Sequence, residues 1–216
     1  MLQAAFTLLG TSVTWLEVIA FGFALACVLC TVYEVHWGWP LLVASSALYG
    51  WLFYLNRLYG DVAVQVYFAL SSLWGWWEWL YGRRPAQPGH ESSGPDRLAI
   101  ARLSGRGRAR TLVLWLAAWP LAGAALARFT DTDVAYFNGF STAGSFIAQA
   151  LMGLKYIECW PMWIAVDLGS AVLYATKSLW LTSLLSLIFA ALAGIGWKRW
   201  QGQRSAASAQ PASGTA

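Results

Sequence analysis

The sequence predicts an all-α integral membrane protein: seven transmembrane helices in a three-plus-one-plus-three plan built on a parallel internal repeat. Three observations lead there. The 216 residues are 58% hydrophobic and only 11% charged, with a mean hydropathy of +0.51. A soluble domain carries about 25% charged residues, so lipid has to cover much of this surface. Seven stretches approach the roughly 20 apolar residues that a bilayer core demands of a helix: 12–33, 38–55, 62–81, 111–129, 135–154, 160–176 and 179–198. Finally, residues of the first half recur in the second at one constant offset.

The spans are joined unevenly. Only "NRLYGD" (56–61) separates the second from the third, and only the region around Lys177 separates the sixth from the seventh, so each pair reads as a tight helical hairpin. Residues 82–110 hold seven arginines (Arg83, Arg84, Arg97, Arg102, Arg106, Arg108, Arg110) against Glu91 and Asp96, which places that loop in the cytoplasm. Seven spans then leave the N-terminus outside and the C-terminus inside. Lys198, Arg199 and Arg204 in the tail agree, as do Arg128, Asp131 and Asp133 in an outer loop. "PAQPGHESSGPD" and "SAASAQPASGTA" have the composition of connectors. The plan is 1–82 for the first three-helix bundle, 83–110 for a basic cytoplasmic loop, 111–134 for a linker helix and outer loop, 135–200 for the second bundle and 201–216 for a disordered cytoplasmic tail.

The repeat emerges at an offset of 121. Trp39-Pro40 falls on Trp160-Pro161, Leu58-Tyr59 on Leu179-Trp180, Phe68 on Phe189, and Gly75-Trp76-x-x-Trp79 on Gly196-Trp197-x-x-Trp200. Helices one to three and five to seven are thus equivalent, and helix four links them. Both repeats begin with an outside-to-inside helix, so they are parallel, a plan that transporters use with the substrate site where the repeats meet.

Other chemistries find less support. No phosphate-binding G-x-x-x-x-G-K-[ST] occurs, and His36 and His90 stand alone, without metal-site spacing. Cys27 and Cys30 form a C-x-x-C that a membrane thiol oxidoreductase could use. They are also small apolar residues one turn apart in "FGFALACVLC", with no cation nearby to lower a thiol pKa. "MLQAAFTLLGTSV" lacks the basic start of a cleaved secretory signal.

The polar residues within spans fall on shared faces. Tyr67, Ser71, Trp74 and Glu78 on helix three are spaced by four, three and four; Trp160, Trp163, Asp167 and Tyr174 on helix six by three, four and seven. Asn138 and Gln149 interrupt helix five. An unpaired acid inside a span costs several kcal/mol and marks a functional site, which points to Asp167 in mid-span. Glu78 has two readings, a pocket residue or a snorkelling acid paired with Arg83 or Arg84. Trp76, Trp79, Trp197 and Trp200 fit an interfacial belt, leaving Trp74, Trp160 and Trp163 as walls. Gly75, Gly153, Gly169 and Pro161 are places for bending or for close helix packing. Indole faces beside a carboxylate suit a flat organic cation, and an amide such as Gln149 can read its hydroxyls.

At "LYGDVAVQVYF", "WGWWEW", "IAQALMGLKYIECWPMWIAVD" and "GWKRW" the sequence resembles the PnuC family of vitamin transporters, best known for nicotinamide riboside. The resemblance covers roughly 15–82 and 135–200. It implies a fold similar to the SWEET sugar transporters in a bacterial inner (plasma) membrane, facilitated diffusion of a vitamin precursor without a cofactor, trapping by a cytoplasmic kinase, and a homotrimer. Carried over by residue, the substrate site comprises Trp74, Trp77, Glu78, Gln149, Lys155, Trp160, Trp163 and Asp167. The family's usual Y-G-W-W-Q-W has Trp74 and Glu78 in place of Tyr and Gln here, and Asp167 stands where Asn is usual. Each amide-to-acid exchange leaves an acceptor-only group. Nicotinamide riboside is the expected substrate and thiamine, another flat cation, the alternative; the added acids argue against neutral riboflavin. A thiol oxidoreductase and a membrane scaffold are the readings from other classes.

Overall fold

The computed structural model describes residues 4–8, 11–55, 59–82, 98–130, 134–176 and 180–209. Arg83, Arg84, His90, Asp131, Asp133, Lys177 and most of the basic loop, singled out above, lie outside the described residues. Seven helices appear among them: α1 Trp15–Val32, α2 Gly38–Leu55, α3 Tyr59–Tyr81, α4 Gly105–Phe129, α5 Ala135–Gly153, α6 Cys159–Thr176 and α7 Trp180–Ala209. The chain divides into two compact units, Met1–Trp76 and Trp77–Ala216, the division falling within α3.

Three boundaries differ from expectation. The chain does not begin in helix: β1 (Ala4–Leu8) and β2 (Thr11–Thr14) pair antiparallel, with Leu8 opposite Thr11 and Ala4 opposite Thr14. "TSVT" is dense in β-branched residues, which favour extended backbone, so α1 starts at Trp15 rather than 12 and the chain is not wholly α. Helix α4 starts six residues earlier than expected because Ser104 caps it, its hydroxyl accepting from the Gly107 N–H at 3.1 Å. Helix α7 continues to Ala209, beyond the expected start of the disordered tail, since Gln, Arg and Ala in "QGQRSAASA" sustain helix well.

The offset of 121 recurs in the backbone. Helices α2 and α6 begin at Gly38 and Cys159 and end at Leu55 and Thr176; α1 and α5 end at Val32 and Gly153. The turns between match bond for bond. In the first, Glu34 N–H donates to Thr31 O and Val35 N–H to Cys30 O; in the second, Lys155 N–H donates to Met152 O and Tyr156 N–H to Leu151 O. This is the Schellman closure, in which a residue in left-handed backbone ends the helix. Glu34 (φ 57°) and Lys155 (φ 50°) occupy that position, where glycine is the usual choice.

The paired tryptophans explain the paired glycines. A Cβ on Gly75 would lie 2.5 Å from the Trp39 ring, and one on Gly196 would lie 2.5 Å from the Trp160 ring. In each unit the first turn of the hairpin's leading helix lays an indole against bare backbone in the next helix. Helix α4 docks on α5 by a different device. Trp115 and Trp119, one turn apart, donate their indole N–H groups to Phe140 O (3.2 Å) and Tyr136 O (2.6 Å), while Gly123 and Gly139 let the backbones touch.

Among the described residues one helix, α4, is apolar enough by length and composition alone to cross a membrane, with a shorter apolar run at Phe21–Val32. The others have 18 to 30 residues, at least about 27 Å of helix. Their surfaces are nonetheless apolar: Leu112, Val113, Leu116 and Leu121 on α4 and Leu184, Leu187, Ile188 and Ile195 on α7 are exposed. Apolar exposure on that scale belongs to lipid rather than water.

Candidate functional site

A polar and aromatic cluster lies inside the second unit, around the α5–α6 turn. Trp200 is fully buried, and Trp160, at 1% exposure, meets it edge-on with ring centroids 5.3 Å apart. Trp79 lies 6.0 Å from Trp200 and donates its indole N–H to Met152 O at 3.2 Å. Lys155 reaches over the Trp79 face with its Nζ 4.6 Å from the centroid, a cation–π contact. The strained backbone at Lys155 thus turns an ammonium onto an aromatic wall.

The same turn captures the segment that leads into α4. Ala101 and Tyr156 form a parallel bridge: Ala101 N–H donates to Lys155 O and Ile157 N–H to Ala101 O, each at 3.0 Å. Glu158 completes the junction, its carboxylate accepting from Leu103 N–H (3.0 Å) and Arg108 Nε (2.9 Å), with Arg102 at 4.0 Å. Leu98 is buried as the segment arrives. Sequence reasoning missed Glu158. The available signal was its position as the acid of "KYIECWP", the turn facing a run of arginines.

The expected site residues separate into distinct environments. Trp74 belongs to the first unit and is 39% exposed; Trp77, 62% exposed, lies against Tyr81 at 4.7 Å. Glu78 is half-buried and makes no ion pair among the described residues; Arg83 and Arg84 lie outside them. Gln149 is buried in α5 at 2% exposure. Trp163 and Asp167 are half-buried one turn apart on α6. The Trp163 indole N–H is buried without a hydrogen-bond partner, and Asp167 has neither hydrogen bond nor ion pair among the described residues. Trp160 is instead enclosed by Gly196 and Trp200.

The internal repeat gives this separation a physical meaning. At the offset of 121, Trp160 falls on Trp39, an identical residue in the same role. Both indole N–H groups are buried, so that feature belongs to the fold. Every other expected residue breaks the repeat: Trp163 falls on Leu42, Asp167 on Ser46, Gln149 on Val28, Lys155 on Glu34, Trp74 on Ile195, Trp77 on Lys198 and Glu78 on Arg199. Positions that match carry architecture, and positions that differ are free to carry chemistry. The interfacial belt needs correction too: Trp79 and Trp200 are core residues, whereas Trp197 is partly exposed. They are buried because α7 packs along α6 in the second unit and closes over the indoles.

Helices of spanning length, apolar flanks and an acid on α6 that is unpaired among the described residues fit a helical membrane transporter. The chain belongs to the nicotinamide mononucleotide transporter family, whose model matches residues 14–202. It is 21% identical over 210 residues to the nicotinamide riboside transporter PnuC of Escherichia coli (strain K12), and equally to that of Shigella flexneri, covering 88% of this chain and 87% of each relative. In fold it is similar to the crystal structure of the vitamin B3 transporter PnuC, with TM-score 0.66 and 19% identity over 88% of this chain and 83% of that one. The transporter expectation is met, and the oxidoreductase reading of Cys27 and Cys30 gives way to it. Those thiols are free neighbours on α1.

Proposed function

We propose that the chain takes up nicotinamide riboside by facilitated diffusion across a bacterial inner membrane, with cytoplasmic phosphorylation trapping the product. The observation that carries this is the family match across 14–202. The family's description names a mononucleotide, while the relatives' names give the riboside. Residue chemistry favours the riboside. Asp167 and Glu78 would repel a phosphate, whereas the riboside's pyridinium is a flat cation suited to a carboxylate beside indole faces. In this reading Asp167 neutralises the ring, Trp163 lends an aromatic face and an unspent N–H donor, and Trp74, Trp77, Glu78, Gln149 and Lys155 complete the recognition set, with Trp160 as its scaffold.

The architecture we propose is seven spans as two parallel three-helix repeats and a linker, similar to the SWEET transporters, with the N-terminus outside and the C-terminus in the cytoplasm. The bond-for-bond recurrence of the two Schellman turns supports the repeat. A homotrimer and a partner kinase complete the proposal by family resemblance. Thiamine is the second reading, because a carboxylate in place of an amide suits that flat cation equally. Proteoliposomes holding the purified protein are expected to equilibrate labelled nicotinamide riboside without a proton or sodium gradient. Strict gradient dependence would overturn the passive mechanism, and equilibration of thiamine instead would reassign the substrate.

A further inference from the structure

Beside the Glu158 junction lies a recess of about 450 Å³ lined by Arg102, Arg108, Glu158, Trp197, Gln201 and Arg204, among others. Its volume falls within the range of roughly 300–1,000 Å³ typical of small-ligand sites. Three arginines line it against one carboxylate. The acid's charge is already engaged: its oxygens accept from Arg108 Nε and from the Leu103 N–H. That engagement also fixes Arg108, because a guanidinium held through Nε has its planar fork set in direction, and forks of this kind suit phosphate oxygens. Arg102 stands 4.0 Å from the same carboxylate and is half exposed. The lining of this concave site thus holds three arginines and one carboxylate. The lining includes the partly exposed Trp197, with Gln201 and Ser205, and draws on α7 and on the residues around the α5–α6 turn. None of these groups belongs to the substrate set proposed above.

We propose that this recess binds the phosphate of an anionic phosphate ester, through Arg102, Arg108 and Arg204. Two sources share that chemistry, an acidic phospholipid headgroup and a soluble phosphate monoester, and they can be told apart. The full-length protein is placed in nanodiscs of phosphatidylcholine with or without phosphatidylglycerol, and separately in neutral detergent with glycerol phosphate or with chloride at equal ionic strength. Thermal unfolding is followed, and retained ligand is counted by native mass spectrometry, which reads binding independently of stability. Stabilisation and adducts with phosphatidylglycerol alone assign the site to lipid; the same with glycerol phosphate alone assign it to a soluble ester. Arg102→Gln with Arg204→Gln is expected to weaken the responding arm about tenfold, the loss of charge-assisted bonds, leaving the Glu158–Arg108 bond in place. Arg204→Lys keeps the charge without the fork and is expected to fall between. A wild type that answers to neither arm, or a double Gln variant that binds as the wild type does, overturns the proposal.

Discussion

The Trp160 indole lies against Gly196, so close that a Cβ there would sit 2.5 Å from the ring, and Trp39 lies against Gly75 in the same way. Since Trp160 is itself buried against Trp200, the ring has nowhere to move. Gly196→Ala is expected to destabilise the protein by about 1–3 kcal/mol, the scale of overpacking, and Gly75→Ala to do the same. Gly194, two residues away, has open space where its Cβ would go. Gly194→Ala is therefore expected to be neutral or stabilising by up to roughly 1 kcal/mol. Thermal unfolding of the three variants in detergent measures the contrast; equal effects at Gly194 and Gly196 would sink the packing account.

Burial separates tryptophans that composition alone treats alike. Trp200→Ala is expected to cost about 3–5 kcal/mol, because the indole has no exposed surface and contacts two other rings. Trp197→Ala, partly exposed on the same helix, is expected to cost about 1 kcal/mol or less. Chemical denaturation of both variants in one detergent gives the comparison, and similar losses would restore the belt reading for Trp200.

Lys155 offers a way to divide backbone strain from side-chain contact. Its φ of 50° favours glycine, while its ammonium sits 4.6 Å from the Trp79 ring. Lys155→Ala loses the cation–π contact, worth about 0.5–2 kcal/mol, and keeps the strain. Lys155→Gly loses the contact but relieves roughly 1–2 kcal/mol of left-handed strain. The glycine variant is thus expected to melt above the alanine variant and near the wild type. The reverse order would mean that the turn does not hold this conformation.

Glu158 ties the approach to α4 onto the α5–α6 turn through Leu103 and Arg108. Both bonds are partly solvated, so Glu158→Gln is expected to lower stability by only about 1 kcal/mol or less. Its clear effect is local: hydrogen exchange at the Leu103 amide is expected to rise about tenfold as its charged acceptor is lost. Unchanged protection there would show that the segment is held by the Ala101 bridge alone.

Much of this architecture was legible in the sequence, for a physical reason. Trp and Gly side chains are hard to substitute where an indole lies on backbone, so Trp39, Gly75, Trp160 and Gly196 display the repeat without any structure. Helix starts at Tyr59 and Trp180, paired at the same offset, follow from it. The Schellman positions were not legible, because Glu34 and Lys155 stand where glycine would have announced the turn. Nor was the burial of Trp79 and Trp200, since a tryptophan near a span's end suits the core and the interface equally. Glu158 was hidden because its partners, Leu103 N–H and Arg108, lie about fifty residues away in a segment of loop composition. The roles of Trp163 and Asp167 rest on residue type and on the break in the repeat, and they call for a functional measurement.

That measurement is a pair of near-isosteric changes on α6. Trp163→Phe keeps an aromatic face and removes the buried N–H that has no partner; Asp167→Asn keeps the shape and removes a charge left unpaired among the described residues. Neither change breaks a bond of the fold, so each is expected to shift stability by no more than about 1 kcal/mol downward. Asp167→Asn has reason to be stabilising, since a neutral amide is easier to hold inside a bilayer than an acid. Binding is expected to behave otherwise. Asp167→Asn should weaken nicotinamide riboside about tenfold, by loss of the charge facing the pyridinium, with a smaller effect on a neutral analogue. Trp163→Phe should weaken both, because a hydrogen-bond donor and not a charge is lost. Trp160→Phe supplies the contrast: it trims a ring packed on Gly196 and should lower stability while leaving the ratio of charged to neutral ligand unchanged. Isothermal titration with the two ligands, beside thermal unfolding of the three variants, measures all of this. If Asp167→Asn left that ratio untouched, the carboxylate would not face the substrate's charge.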